Sequence, residues 1–169
     1  MSVTEARPVS ERIASQLYSR LRLLAAGYSD QVLVPSVKRT DHADDGTPEH
    51  LQIVLTQGSP QRNEELDCPG NPPANAYDIQ FNIRVRVMLS ESDPTPEDEI
   101  VNTIAAEVVR VVCDDSYLSY PWHTFENLAV NAVWQSHENV DGDELFDGVN
   151  IPLLVTYRVS ETNPYEVRA

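Results

Sequence analysis

Two histidines, His42 and His50, flank Asp41, Asp44, Asp45 and Glu49 in a turn-rich stretch. Imidazole nitrogens and carboxylate oxygens in such a mixture can hold a divalent metal, which would make the chain a small metal-dependent enzyme. The spacing matches no ligand pattern, however, and a turn does not hold ligands in convergence, so the stretch reads first as a solvated acidic connection. Asp141, Asp143 and Asp147 have the look of a calcium loop. Leu145 stands where a third oxygen is needed and no bidentate glutamate closes the set, so an ordinary acidic turn is expected.

Nucleophilic chemistry has no better footing. Cys113 follows an apolar stripe with no histidine placed to activate it and reads as a core residue, whereas Cys68 sits beside Pro69 in a long loop without a partner. Two cysteines so far apart form neither a disulfide framework nor a Cys-x-x-Cys pair, so both are expected as reduced thiols in a cytoplasm. His123 and His137 bracket Trp122, Phe125 and Trp134, an aromatic group that could line a small-molecule pocket. Trp134 fits the alternation of a strand and is expected in the core, while Trp122 follows Pro121 in a connection and is the natural anchor of an interface. The chain has no glycine-rich phosphate loop, no Gly-x-Ser-x-Gly elbow and no His-Glu-x-x-His pair. No catalytic residue, no cofactor and no metal is therefore assigned.

What remains is charge. The 12 Lys and Arg against 27 Asp and Glu leave a net −15, which excludes a broad basic face for duplex DNA. Cations are scarce enough for their positions to matter. Arg84 and Arg86 share the polar face of one strand with Gln80 and Asn82, and Arg158 falls on the corresponding face of the last strand. These read as sockets for carboxylates of a neighbouring subunit, with Arg62, Glu64 and Glu65 of the long loop as further contact residues.

The elements that must position these residues follow from periodicity. With 169 residues and 41% hydrophobic, the chain is expected to form a single domain, 1–169, with a flexible arm at 1–9 and a long loop at 57–76. Ile13, Leu17, Leu21 and Leu24 predict an amphipathic helix capped by Ser10 and ended by Gly27, with Arg12, Arg20 and Arg22 on its exposed side. Val32–Arg39, interrupted by Pro35, and Leu51–Thr56 predict two strands of a hairpin. From Ile79 to Leu89 apolar residues alternate with polar ones without a break, predicting a long strand with one dry face. Thr95, Pro96 and three acids open a second helix to about Cys113, striped by Ile100, Ile104, Val108 and Val111. Strands over Leu128–Gln135 and Ile151–Val159 close the chain on either side of an acidic turn at Asp141–Glu144. The expected fold is α+β: a two-layer sandwich with a mostly antiparallel sheet of about five strands and two helices on one face. The other face is left to water or a partner. No run is apolar enough to span a membrane, and the polar start has no signal-peptide core, so a soluble, unexported protein is expected.

This order of elements resembles the tail terminator, or tail completion, proteins of tailed bacteriophages. The resemblance rests on the leading helix, the Val32–Thr56 pair, the long connection, the strand running into Asp93-Pro94-Thr95-Pro96-Glu97-Asp98-Glu99, and the closing strand with its Thr156-Tyr157 pair. It implies a virion protein, assembled in the host cytoplasm and resident in the tail or neck, that catalyses nothing. Such a protein forms a homo-oligomeric ring, a hexamer in this family, on the head-proximal end of the tail tube protein. There it ends tube polymerisation and presents a surface to the neck or head-tail connector protein, a neck or head-completion protein being the alternative. Genome DNA passes through the lumen without specific binding, and an acidic wall suits that passage.

Overall fold

The computed structural model describes residues 7–24, 36–39, 51–70, 73–88, 97–112, 129–135, 138–140 and 146–168. His42, His50 and their acids, the turn at Asp141–Glu144, Cys113, Trp122, Phe125, His123, His137, Gly27 and the Thr95-Pro96 helix start all lie outside the described residues.

Helix α1 runs Val9–Leu23. Val9, Ile13, Leu17 and Leu21, each four residues from the next, are all fully buried, so the apolar stripe begins a turn earlier than Ile13. That overturns two expectations. Val9 belongs to the core and not to a loose arm, and burying it draws the helix start back so that Pro8 is the N-cap, with Ser10 inside the first turn and no side-chain cap. The amides of Glu11 and Arg12 instead donate to the Pro8 carbonyl at 3.0 Å. Helix α2 runs Glu97–Val112 and buries Ile104, Ala105, Val108 and Val112, with Val111 half-buried beside them.

Among the described residues eight strands form one sheet: β1 (Ser36–Arg39), β2 (Leu51–Gln57), β3 (Gln61–Arg62), β4 (Ala74–Met88), β5 (Asn131–Trp134), β6 (Glu138–Val140), β7 (Phe146–Ser160) and β8 (Asn163–Val167). Its spine is β4 and β7, 15 residues each, antiparallel and in register from Ala74 opposite Ser160 to Met88 opposite Phe146. The path β1-β2-β4-β7-β5 contains the five strands that periodicity predicts. The additional three, β3, β6 and β8, are 2, 3 and 5 residues long, too short to show a period, and they pair onto the outer edges of β4 and β7.

The first two strands are not a hairpin. β1 pairs with β2 in parallel, Ser36 opposite Gln52 through Arg39 opposite Leu55. A tight turn can only reverse a chain, so a parallel pair is not a hairpin. Among the described residues β1 is nevertheless an edge strand, as expected for the Val32–Arg39 run, whose Val32–Pro35 part lies outside the described residues.

The two sheet faces differ sharply. Ile79, Phe81, Ile83 and Val85 of β4 stand opposite Val155, Leu153, Ile151 and Val149 of β7, and Ile53 and Leu55 of β2 extend the same rows. These side chains and the stripes of both helices form one core cluster, which makes the fold a two-layer α+β sandwich. Burying Phe81 completely contributes about 2–3 kcal/mol on apolar area alone. The opposite, open face, on which neither helix packs, carries Gln52, Val54, Thr56, Gln80, Asn82, Arg84, Arg86, Asn150 and Arg158, most of them half-buried and Val54 only 2% exposed. Among the described residues no helix is long and apolar enough to cross a membrane.

Arg20 does not lie on the exposed side of α1. Three residues beyond Leu17, it falls on the buried stripe, is 8% exposed, and its guanidinium donates to the Val112 carbonyl at 2.9 Å. A cation there meets the negative end of the α2 dipole, which is how the core accepts it. Trp134 is 40% exposed and not a core residue. It faces the core side, opposite buried Leu153, but β5 is an edge strand and half the ring stays open.

Candidate interface

The stretch expected as a long loop, 57–76, is fastened to the sheet. β2 ends at Gln57, and the Gly58 amide then donates to the Gln80 carbonyl at 2.8 Å. A side chain at Gly58 would bring its Cβ within 3.1 Å of that carbonyl oxygen, so this close approach of two backbones favours glycine. β3 returns to pair with β4, Arg62 opposite Tyr77, and a single 3₁₀ turn, Glu64–Leu66, follows. Cys68 and Ala74 close the excursion with reciprocal backbone bonds of 3.0 and 2.9 Å. The role of Cys68 here is carried by its main chain.

Arg62 is the hub on the helix side. Its Nη2 donates to Asp67 Oδ2 at 2.7 Å and to Asn75 Oδ1 at 2.8 Å, and its guanidinium lies 5.7 Å from the Tyr77 ring centroid. Tyr77 in turn stacks on Tyr157 at 5.8 Å. The Arg62 hydrogen bond, helped by the Ala76 amide 2.7 Å away, holds the Asp67 carboxyl below its usual range. The same carboxylate raises the Arg62 value. Burial pushes the Tyr157 hydroxyl up, a hydrogen bond with Ser10 working against it.

On the open side, Asn63 donates to Asp78 Oδ2 at 2.7 Å and Thr156 to Asp78 Oδ1 at 2.6 Å, while Arg158 Nε donates to the Leu66 carbonyl at 3.0 Å. The 3₁₀ turn is thus gripped from both faces of the sheet. Its own side chains, Glu64, Glu65 and Leu66, all face outward, with Leu66 41% exposed.

Arg84 and Arg86 do lie on the open face with Arg158, as the alternation predicts, yet the three do not form one patch. Arg158 is opposite Ala76, while Arg84 stands opposite Asn150, eight positions further along β4, roughly 26 Å away at strand spacing. The anticipated residues therefore divide into two groups: Arg62, Glu64, Glu65 and Arg158 at one end of the β4–β7 ladder, Arg84 and Arg86 at the other. Sequence reasoning missed one register relationship at this end of the ladder. The parallel pairing of β1 sets the position of Lys38 in register with Val54, itself opposite Arg84. Only the direction of β1 reveals this, and a hairpin register conceals it.

One charged pair elsewhere links the two layers. Arg39 of β1 grips Glu11 of α1 through two hydrogen bonds of 2.5 and 3.0 Å, tying the edge strand to the helix layer. That contact lowers the Glu11 pKa and raises that of Arg39. Among the described residues no three His, Cys, Asp or Glu converge to hold a metal ion. Searches against protein-family models and against curated proteins found no match for the chain.

Proposed function

We propose that the protein is a structural component of a tailed bacteriophage, forming a ring that caps the head-proximal end of the tail tube and offers a joining surface to the neck. It works by self-assembly and catalyses no reaction. A closed ring is a heterologous assembly, so every subunit needs two different surfaces that meet head to tail. The observation that carries the reading is the separation of two unlike polar groups, Glu64 and Glu65 on a pinned turn and Arg84 and Arg86 on the open face, at opposite ends of one rigid ladder. The order of elements that resembles tail terminators supports it independently, and the charge of −15 suits a lumen that must not retain DNA.

The test is the mass of the purified protein by light scattering, alone and with purified tail tubes. A ring in solution, or one that forms only on tube ends and halts their growth, is the expected result. A monomer that leaves tube growth unaffected overturns the reading.

A further inference from the structure

Resting on that reading, we propose that the outward face of α1, between Arg12 and Arg22, receives the Glu64–Leu66 turn of a second copy of this chain. Charge complementarity identifies the occupant. From β1 onward the described arginines are all engaged within the subunit, as Arg39 is with Glu11 and Arg62 with Asp67. Arg12, by contrast, is exposed, and its guanidinium has no ion pair or hydrogen bond among the described residues. Arg22 is exposed too and lies 5.8 Å from the Tyr18 ring centroid, a contact that uses the face of a guanidinium and not its N–H edge. The one acid of the helix, Glu11, is taken by Arg39. Glu64 and Glu65 supply the opposite charge on consecutive exposed residues, and neither forms an ion pair among the described residues.

The shapes agree with the charges. Arg12, Ser15, Ser19 and Arg22 follow helical spacing on the side away from the buried Ile13, Leu17 and Leu21, and ten residues of helix separate the two arginines by about 15 Å. Between them the side chains are short, and the Ser19 hydroxyl donates back to the Ser15 carbonyl at 3.0 Å. The two long arginines therefore stand at the ends of a shallow saddle, with half-buried Tyr18 along its flank. A turn that offers two adjacent carboxylates and the exposed, apolar Leu66 fits such a saddle, the carboxylates reaching the guanidinium groups and Leu66 covering the serines and the edge of Tyr18.

Preorganisation strengthens the case. The turn is pinned through Asn63 to Asp78 and through the Leu66 carbonyl to Arg158, and α1 is packed on the sheet by its buried stripe. Docking one on the other orders little that is not already ordered. Because the turn and the helix are different surfaces, the contact can repeat head to tail, as a ring requires.

Reversing charge tests the contact directly. E64K with E65K should weaken self-association by at least about thirtyfold, and R12E with R22E should do the same, each with the thermal transition of the unaltered chain. R12Q with R22Q, which adds no acid to the helix, should weaken it by about tenfold. Mixing is the sharper readout. The E64K, E65K chain and the R12E, R22E chain, each monomeric alone, should assemble with one another, because every turn then meets a helix of opposite charge. If either double reversal assembles as well as the unaltered chain, or if the two folded variants stay apart when mixed, the contact is wrong even though the ring stands. Loss of tube capping in R12E with R22E while self-association persists means that α1 faces the tube, and it also overturns the contact. A dimer that shows the loss and the recovery on mixing keeps the contact and overturns the ring. A chain that stays monomeric alone and on tubes overturns both.

Discussion

The guanidinium of Arg20 in α1 donates to the main-chain carbonyl of Val112, the last residue of α2, across 92 positions of sequence. This bond links the flank of one helix to the last described turn of the other. The helix layer is therefore held by a polar contact as well as by its apolar stripes.

Replacing Arg20 with methionine keeps much of the stem's packing and removes the donor. The expected cost is about 1–3 kcal/mol, read as a lower urea midpoint with an unchanged slope. An unchanged midpoint would show that the contact contributes nothing.

The Glu11 carboxyl, held by Arg39, titrates below its ordinary value of 4.5. The stability it contributes is fully present above that value and is lost as pH falls through the lower, folded one. Both side chains are about one-third exposed, so screening limits the effect to about 0.5 kcal/mol. Unfolding measured from about pH 6 to 3 should decline less steeply in Glu11→Gln than in the unaltered chain.

Ile83 sits in the middle of the dry face, opposite Ile151 and Leu55 and fully buried. Ile83→Ala is expected to cost about 3 kcal/mol, and Ile83→Asp to abolish cooperative unfolding by placing an unpaired charge in the core. A soluble Ile83→Asp protein with a sharp thermal transition would contradict the assignment of faces.

Asp67 is half-buried and accepts from both Arg62 and the Ala76 amide. Asp67→Ala should release the excursion between β2 and β4 without touching the sheet core. Hydrogen exchange at the Ala76 amide is expected to quicken by at least about tenfold while amides at Ile83 and Val85 keep their protection. Equal acceleration at all three sites would mean that the excursion and the core open as one unit.

The five strands on the sheet path, both helices and the dry face of β4 and β7 were legible in the chain because each spans enough residues for its period to stand out against composition. Val9 escaped notice for the opposite reason: one apolar residue after a proline shows no period until the helix it extends is known. Arg20 lies on the buried stripe by spacing, yet charge alone assigned it to water. The Val112 carbonyl of α2, far away in sequence, is one of the groups that meets it.

Residue types and spacing by themselves determined the α+β class, the composition of the open face and the scarcity of cations. Only the tertiary structure decided how those cations are grouped. The registers of β3 and β7 with β4 divide the arginines between two ends of a ladder, and the direction of β1, parallel to β2, is set the same way. Strand direction and register depend on pairings between residues far apart in sequence, and such pairings leave no trace in local periodicity. The excursion at 57–76 is the same case, since its glycines, prolines and acids read locally as a loop, and it is Asp78, Thr156 and Arg158, contributed by strands elsewhere, that hold it in place.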